Sequence, residues 1–396
     1  MKFIKELPKK TIVKNSYDVI VCGGGIAGVS AALAAVRQNK KVLLIEKLFL
    51  LGGLATSGLV TIYLPLCDGC GKQVSFSIAE ELLRLSIKHG YEDEYPKAWL
   101  CGGTTEEKAQ KRFQVRFNAN LYALLLEKQL KENGVEILYG STVCDTVIKK
   151  SKITHLVVQN KEGRIAFETK AVVDTTGDAD VCEFTKAGTA TFSQGNTLAG
   201  WYYFLNGNDI DLKMLGFSDI PDKYKTEAEK SVKGQRYFGI NDLSKMAEDS
   251  HAFTLDDFLK KGGISKDYHL STIATTPQVR MTRRIQGEYT MDDTEMHTDF
   301  FDSVGLIGDW RKKGPIYEIP FRTLYSKKIK NLITAGRSIS VTDAMWDITR
   351  VIPACAVTGE AAGIAASLSD DFSKINISLL QEKLKNNGVV LHEKDL

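Results

Sequence analysis

Histidine is scarce in this sequence, with six among 396 residues. No His-x-x-x-His and no second Cys-x-x-Cys accompanies Cys67 and Cys70, so neighbouring residues complete no set of metal ligands. The seven cysteines are odd in number and scattered, which does not suit the disulfide framework of a small secreted domain. Net charge is only +3, from 52 basic and 49 acidic residues, so no field of one sign draws in nucleic acid or a membrane surface. Five lysines crowd the first 14 residues (Lys2, Lys5, Lys9, Lys10, Lys14) and read as a solvated terminal segment. No unbroken apolar run reaches the ~18 residues that a membrane span requires. The run from Val19 begins after Asp18 and is broken by Gly23 to Gly25, unlike a secretory leader. The cytoplasm is the compartment expected. Neither an internal repeat nor a low-complexity linker is present. An apolar fraction of 43% and a charged fraction of 26% describe a globular chain, long enough for two lobes around a large core.

What is present is concentrated near the start, in YDVIVCGGGIAGVSAALAA, Tyr17 to Ala35. Asp18 to Cys22 has the β-rich apolar character of one buried strand, and Ile26 to Arg37 has apolar residues at helical spacing. Gly23, Gly25 and Gly28 give G-x-G-x-x-G at the junction. The first glycine permits a tight turn, the second lets backbone approach a pyrophosphate, and the third lets helix and strand pack closely. The free N–H groups and positive dipole end of the helix then face the phosphates. A second strand, Lys41 to Ile45, ends in Glu46, about 20 residues on, where a carboxylate meets ribose hydroxyls. The combination describes a dinucleotide site.

Three further apolar runs suit the same sheet: Val135 to Tyr139, Ala171 to Val173 and Leu332 to Ile333. An amphipathic helix, Asn120 to Glu132, precedes the first of them through Asn133-Gly134, a good helix stop. Between Val143 and Lys170, three short segments (TVCDTVIK, KITHLVVQN and RIAFETK) read as an antiparallel meander. From about Gln194 to Arg311 the βα rhythm disappears, which suggests a second lobe. A strand at Asn331 to Thr334 and a long Ala/Gly-rich helix from about Pro353 to Leu368 return the chain to the first domain. The expected fold is therefore α/β: a doubly wound, Rossmann-like dinucleotide-binding domain (1–193 and 312–396) with an antiparallel β-meander crossover, plus a mixed α+β substrate lobe (194–311).

With these motifs in order, the chain resembles the flavin-dependent oxidoreductases of the glutathione-reductase-like FAD superfamily, and within it the bacterial FAD-dependent oxidoreductases of unassigned substrate. Four places carry the likeness: VCGGGIAGVSAALAAVR with KVLLIEK; Leu51-Gly52-Gly53-Leu54-Ala55-Thr56; Val172-Val173-Asp174-Thr175-Thr176-Gly177-Asp178; and NLITAGRSIS with TRVIPACAVTGEAAGIAA. MTRRIQGEY, Met281 to Tyr289, is also similar to the family. The resemblance implies FAD, as do the interrupting meander and the late segment that completes the site. It implies that Gly23, Gly25, Ile26, Ala27 and Gly28 cradle the pyrophosphate, that Glu46 with Lys47 holds the ribose, and that Val143 offers backbone to adenine. Gly52, Gly53, Leu54, Ala55 and Thr56 then follow the pyrophosphate and ribityl chain. Thr176, Gly177 and Asp178 form a second turn, and Gly336 and Arg337 close over the cofactor. Pro353 suits the first position of the last helix, whose N-terminus would stabilise negative charge on the reduced ring. The middle third lacks a second G-x-G-x-x-G, so no dedicated NAD(P)H domain is expected.

Substrate-facing candidates are fewer. Arg283 and Arg284, with Arg280, lie on different faces of one extended stretch, where one of them can clamp a substrate carboxylate. Arg350 directly precedes the last helix. His297 and His269 are general-base candidates in the second lobe. Trp201, Tyr202, Tyr203 and Trp346 suit core packing, with stacking on a ring-shaped substrate as the alternative. The expected activity is hydride transfer between a small-molecule substrate and flavin N5, with an unidentified electron acceptor and an oligomer possible. Two rivals stand beside it: a disulfide reductase using Cys67 and Cys70, though a dozen residues part this pair from the Gly52-Gly53 segment, and an assembly subunit whose FAD is structural.

Overall fold

The structure is a computed structural model that describes residues 4, 7, 9–216 and 236–396; Lys2, Lys5 and part of the expected second lobe lie outside the described residues. The chain enters on the strand Ile12–Cys22 (β1), turns through three glycines into the helix Ile26–Val36 (α1), and continues to the strand Val42–Ile45 (β2). β1 is longer than its apolar run because its first five residues are exposed and gain their pairing from a neighbouring strand. The helices Ile78–Ile87 (α2) and Ala119–Glu132 (α3) precede the short strand Glu136–Leu138 (β3). Then come the strands Thr142–Lys149 (β4), Lys152–Asn160 (β5) and Gly163–Asp174 (β6), with β5 antiparallel to both its neighbours. A five-residue helix, Asp180–Phe184 (α4), follows the turn after β6.

The sequence divides RIAFETK from AVV at Lys170, but the structure makes them one strand. β6 runs parallel to β1 along nearly its whole length, and this pairing carries the ladder through the polar positions. On its other edge β6 has two partners. β5 pairs with its N-terminal half, Gly163 to Glu168, and the strand Leu332–Thr334, added late by the chain, pairs in parallel with Val172 to Asp174. Asn331 sits in the fork. Its side chain donates to Ile153 O and Lys170 O, both at 2.8 Å, and accepts from Ile153 N at 2.8 Å. The seven-stranded sheet thus has the order β3-β2-β1-β6-β5-β4 with the late strand beside β6, a mixed α/β architecture on a parallel Rossmann-like core.

Between α4 and that late strand lie the strands Gly200–Asn206 (β7), Asp209–Leu215 (β8), the helix Leu243–Leu259 (α5) and the strand Tyr268–Ile273 (β9). β7 is central and antiparallel to both β8 and β9. Tyr202, Phe204 and Leu215 pack on Phe258 of α5. The late strand Leu332–Thr334 (β10) leads to the helices Asp343–Thr349 (α6) and Ile352–Leu368 (α7). α7 starts one residue before Pro353, which therefore takes the second helical position. Almost every residue of α7 is buried, because the helix lies on α1 through glycines. A Cβ at Gly359 would stand 2.3 Å from Ala27 O, and one at Gly363 2.2 Å from Ala31 O. Ser30 Oγ donates to Ala356 O at 2.6 Å across the same contact. No single helix among the described residues is long and apolar enough to cross a membrane.

Candidate functional site

A cavity of about 390 Å³ opens at the C-terminal ends of β1, β2 and β6. Its floor is the β1–α1 turn. Gly23 adopts φ +110, a region L side chains avoid, and a Cβ there would meet Thr175 O at 2.4 Å. Thr175 Oγ1 donates to Cys22 O at 3.0 Å and Gly23 O at 2.8 Å, tying the turn to the end of β6. Gly25 caps α1 with no side-chain hydrogen bond, and the first turn contains no acidic residue. The leading amides of α1 therefore keep their donors for a ligand, and Gly25, Ile26 and Ala27 line the cavity.

Glu46 stands at one side, 6% exposed. Its Oε2 accepts from Gly24 N at 2.6 Å and its Oε1 from Leu48 N at 2.8 Å. Each oxygen retains a second lone pair for a hydroxyl donor. Lys47 and Val143 line the same cavity, as do Gly52, Gly53, Leu54 and Ala55. Gly52 N donates to Gly24 O at 2.8 Å, which draws the second glycine pair alongside the first. Thr176, Gly177 and Asp178 form another part of the wall, with Gly336 and Arg337. The guanidinium of Arg337 lies 3.7 Å from Asp178 and donates to Val279 O. Uncapped helix amides, a backbone-held carboxylate and glycines too crowded for a Cβ fit an extended dinucleotide.

Three expected cofactor contacts stand behind this wall. Gly28 packs on the β1–α1 turn, where a Cβ would come 1.8 Å from Gly23 O. Thr56 turns its hydroxyl back to Leu51 O at 2.5 Å. Pro353 lies between the lining residues Ile352 and Cys355 without lining the cavity itself.

The substrate candidates separate more sharply. Arg350 lines the cavity, its guanidinium 5.1 Å from the Trp346 ring and 5.7 Å from Trp310, with Asp347 Oδ1 accepting at 2.7 Å. Arg283 and Arg284 do not line it. Arg283 pairs with Asp180 and Glu183, and Arg284 donates to Ile285 O and Ser340 Oγ while stacking on Phe192. His297 lies elsewhere: it is exposed and bonds Glu393 at 2.9 Å, outside the cavity, because the turn that holds it packs against the C-terminal segment. Cys67 and Cys70 also lie outside the lining. Cys67 is buried with Phe113 N directed at its sulfur, and burial pushes its thiol pKa up, while Cys70 is exposed.

Sequence reasoning missed the side chains of Asp180, two residues past the Thr176-Gly177-Asp178 turn, and Cys355, inside the quoted last-helix stretch. Burial, with Asp174 and Asp178 nearby, pushes the Asp180 carboxyl up to about 6, against the pull of Arg283 and Lys47. Cys355, at the start of α7, donates to Arg350 O at 3.3 Å, and burial pushes its thiol to about 12. It is a protonated donor rather than a nucleophile.

Comparison with known proteins agrees in outline. The family described as FAD dependent oxidoreductase matches residues 18–200 and 194–384. A thioredoxin reductase of Ureaplasma parvum is 26% identical over 149 residues, 36% of this chain and 47% of that protein. The chain thus spans about half the length of this curated relative. Among solved structures, a geranylgeranyl bacteriochlorophyll reductase-like protein of Thermoplasma acidophilum is 15% identical with a TM-score of 0.46, covering 94% of this chain and 83% of the other. The p-nitrophenol 4-monooxygenase PnpA of Pseudomonas putida is 11% identical with a TM-score of 0.44, covering 96% and 82%.

Proposed function

The chain belongs to the FAD dependent oxidoreductase family, and from that premise we propose that its cavity binds FAD for hydride exchange with a small-molecule substrate. The observation that carries this reading is the convergence of the uncapped α1 terminus, Glu46 and the Gly336-Arg337 turn on one cavity. The α1 amides take the pyrophosphate, Glu46 accepts from the ribose hydroxyls, and Val143 lies at the adenine end. Gly336 and Arg337 cover the opposite side of the chain of phosphates.

When bound, the flavin supplies the capacity to accept or release a hydride. The protein's part is placement and electrostatics. The N-terminus of α7, also without a side-chain cap, offers amide donors at the wall formed by Ile352 and Cys355. Fixed donors there stabilise negative charge as it develops and need no reorganisation. Arg350, held between two tryptophans and Asp347, orients an anionic or polar substrate group. Residues 194–311 serve as the substrate lobe on a cofactor domain built from 1–193 and 312–396. The electron acceptor is a separate small molecule or protein. Support for the lobe comes from Thr276, Pro277 and Val279, which reach the cavity from that segment.

The test is direct. The purified protein is expected to be yellow, or to take up FAD on reconstitution, and an anaerobic metabolite screen should find a compound that bleaches it. Arg350→Met should then raise KM for that compound by about tenfold or more, the loss of a charge-assisted contact, while FAD stays bound. A colourless chain that takes up no FAD overturns the reading.

A further inference from the structure

Asp178 and Asp180 flank a strained corner. Ala179 between them is fully buried yet adopts φ +53, ψ +41, a left-handed conformation that costs an alanine free energy. Such a corner persists only where its surroundings over-determine it. One side is supplied by β6: Asp174 accepts from Thr176 N at 3.1 Å, Thr176 Oγ1 at 2.7 Å and Cys182 N at 3.0 Å. The other side comes from a distant stretch of chain. The strand Arg283–Ile285 pairs with Thr189–Thr191, and its start faces the corner. There Thr282 Oγ1 donates to Asp178 Oδ1 at 2.6 Å, Arg283 Nε to Asp178 O at 3.0 Å, and Arg283 Nη2 to Asp180 Oδ1 at 2.6 Å.

We propose that Arg283 is a positioning residue that latches the Thr176–Asp180 corner in its FAD-binding shape by bonding Asp178 and Asp180 together, and that it is not a substrate anion clamp. This rests on the reading of the cavity as the FAD site. Arg283 itself lines no part of the cavity, whereas Thr176, Gly177, Asp178 and Asp180 all do. Its charge also has a local task. Asp180 faces Asp174 across the corner, Asp178 along the chain, and the cations Arg283 and Lys47, while Glu183 pairs with Arg283 and Arg337 with Asp178. Burial and the two aspartates raise its carboxyl to about 6, so without Arg283 an ionised Asp180 would be an under-compensated charge. The corner would relax to relieve it, and the cofactor wall would relax with it.

Flavin fluorescence titration of the apoprotein reads the effect without turnover. Arg283→Gln is expected to raise the FAD Kd at pH 8 on the order of tenfold, the consequence of unpairing a half-buried charge. Asp180→Asn added to Arg283→Gln should restore only part of the affinity, because the uncompensated charge is gone while the bonds to Asp178 and Asp180 are still missing. Arg283→Lys keeps a cation but loses the second donor, so an intermediate Kd is expected. The inflection in Kd against pH should move upward in Arg283→Gln and vanish in Asp180→Asn. Wild-type affinity in both Arg283 variants, or in the double variant, overturns the latch. Absence of FAD uptake by the wild-type chain overturns the cofactor reading instead.

Discussion

Glu360 lies one turn beyond Val357 on α7, only 1% exposed. Its carboxyl accepts from Ser77 Oγ at 2.7 Å and Ile78 N at 3.2 Å, capping α2 from outside. Burial outweighs those bonds and the charge of Arg37, and raises the group from 4.5 to about 7. Between those two values the folded state keeps a proton that the unfolded chain has released. This group's contribution therefore falls as pH rises from about 4.5 to 7 and is flat above. Gln reproduces the protonated form, its amide donating to Ser77 and its carbonyl accepting from Ile78. Glu360→Gln should raise stability at pH 9 by on the order of 2–3 kcal/mol and leave it nearly unchanged at pH 4. Chemical denaturation at the two pH values checks this, and an equal shift at both would refute it. Glu360 shows how little single residues announce themselves. Glu360 and Cys355 sit inside a stretch legible as a whole, but nothing local marks either side chain, and Asp180 lies just past the Thr176-Gly177-Asp178 turn. Glu46 was legible because strand length fixes its place, whereas the position of His297 depends on the distant Glu393.

Contacts between whole elements are set by the spaces that glycines leave. α7 approaches α1 so closely at Gly363 that an added methyl meets Ala31 O. Gly363→Ala should destabilise the protein by about 2–3 kcal/mol, since backbone must shift. Gly90→Ala is the control, with nothing within 4 Å of the added atom. A thermal melt in which the two variants fall equally would show that the approach is not what limits the packing. The β1–α1 unit was legible from sequence because period, glycines and acid agree over one short window. β6 was not, because its continuity through Lys170 comes from the ladder with β1 rather than from an apolar pattern. The same holds for the exposed half of β1, where Ile12 and Val13 are cut off from the apolar run by Lys14, Asn15 and Ser16.

Across the whole molecule the sheet depends on a join between sequence-distant parts. Asn331 satisfies three backbone groups where β5 leaves β6 and β10 takes its place. Asn331→Leu strands them in a buried site, and should cost about 3 kcal/mol in urea unfolding with an unchanged m-value. FAD uptake should weaken with it, as Gly336 and Arg337 follow directly on β10. Normal uptake at full cost in stability would separate the join from the cavity. Because β10 and α7 come so late in the chain, order of synthesis acquires meaning. While the ribosome is still at Lys330, α1 is already made but the face that α7 covers is bare, and one wall of the pocket does not exist. Holding the ligand must wait until β10 and α7 have emerged, and until then a nascent polypeptide carries an apolar surface that chaperones can recognise.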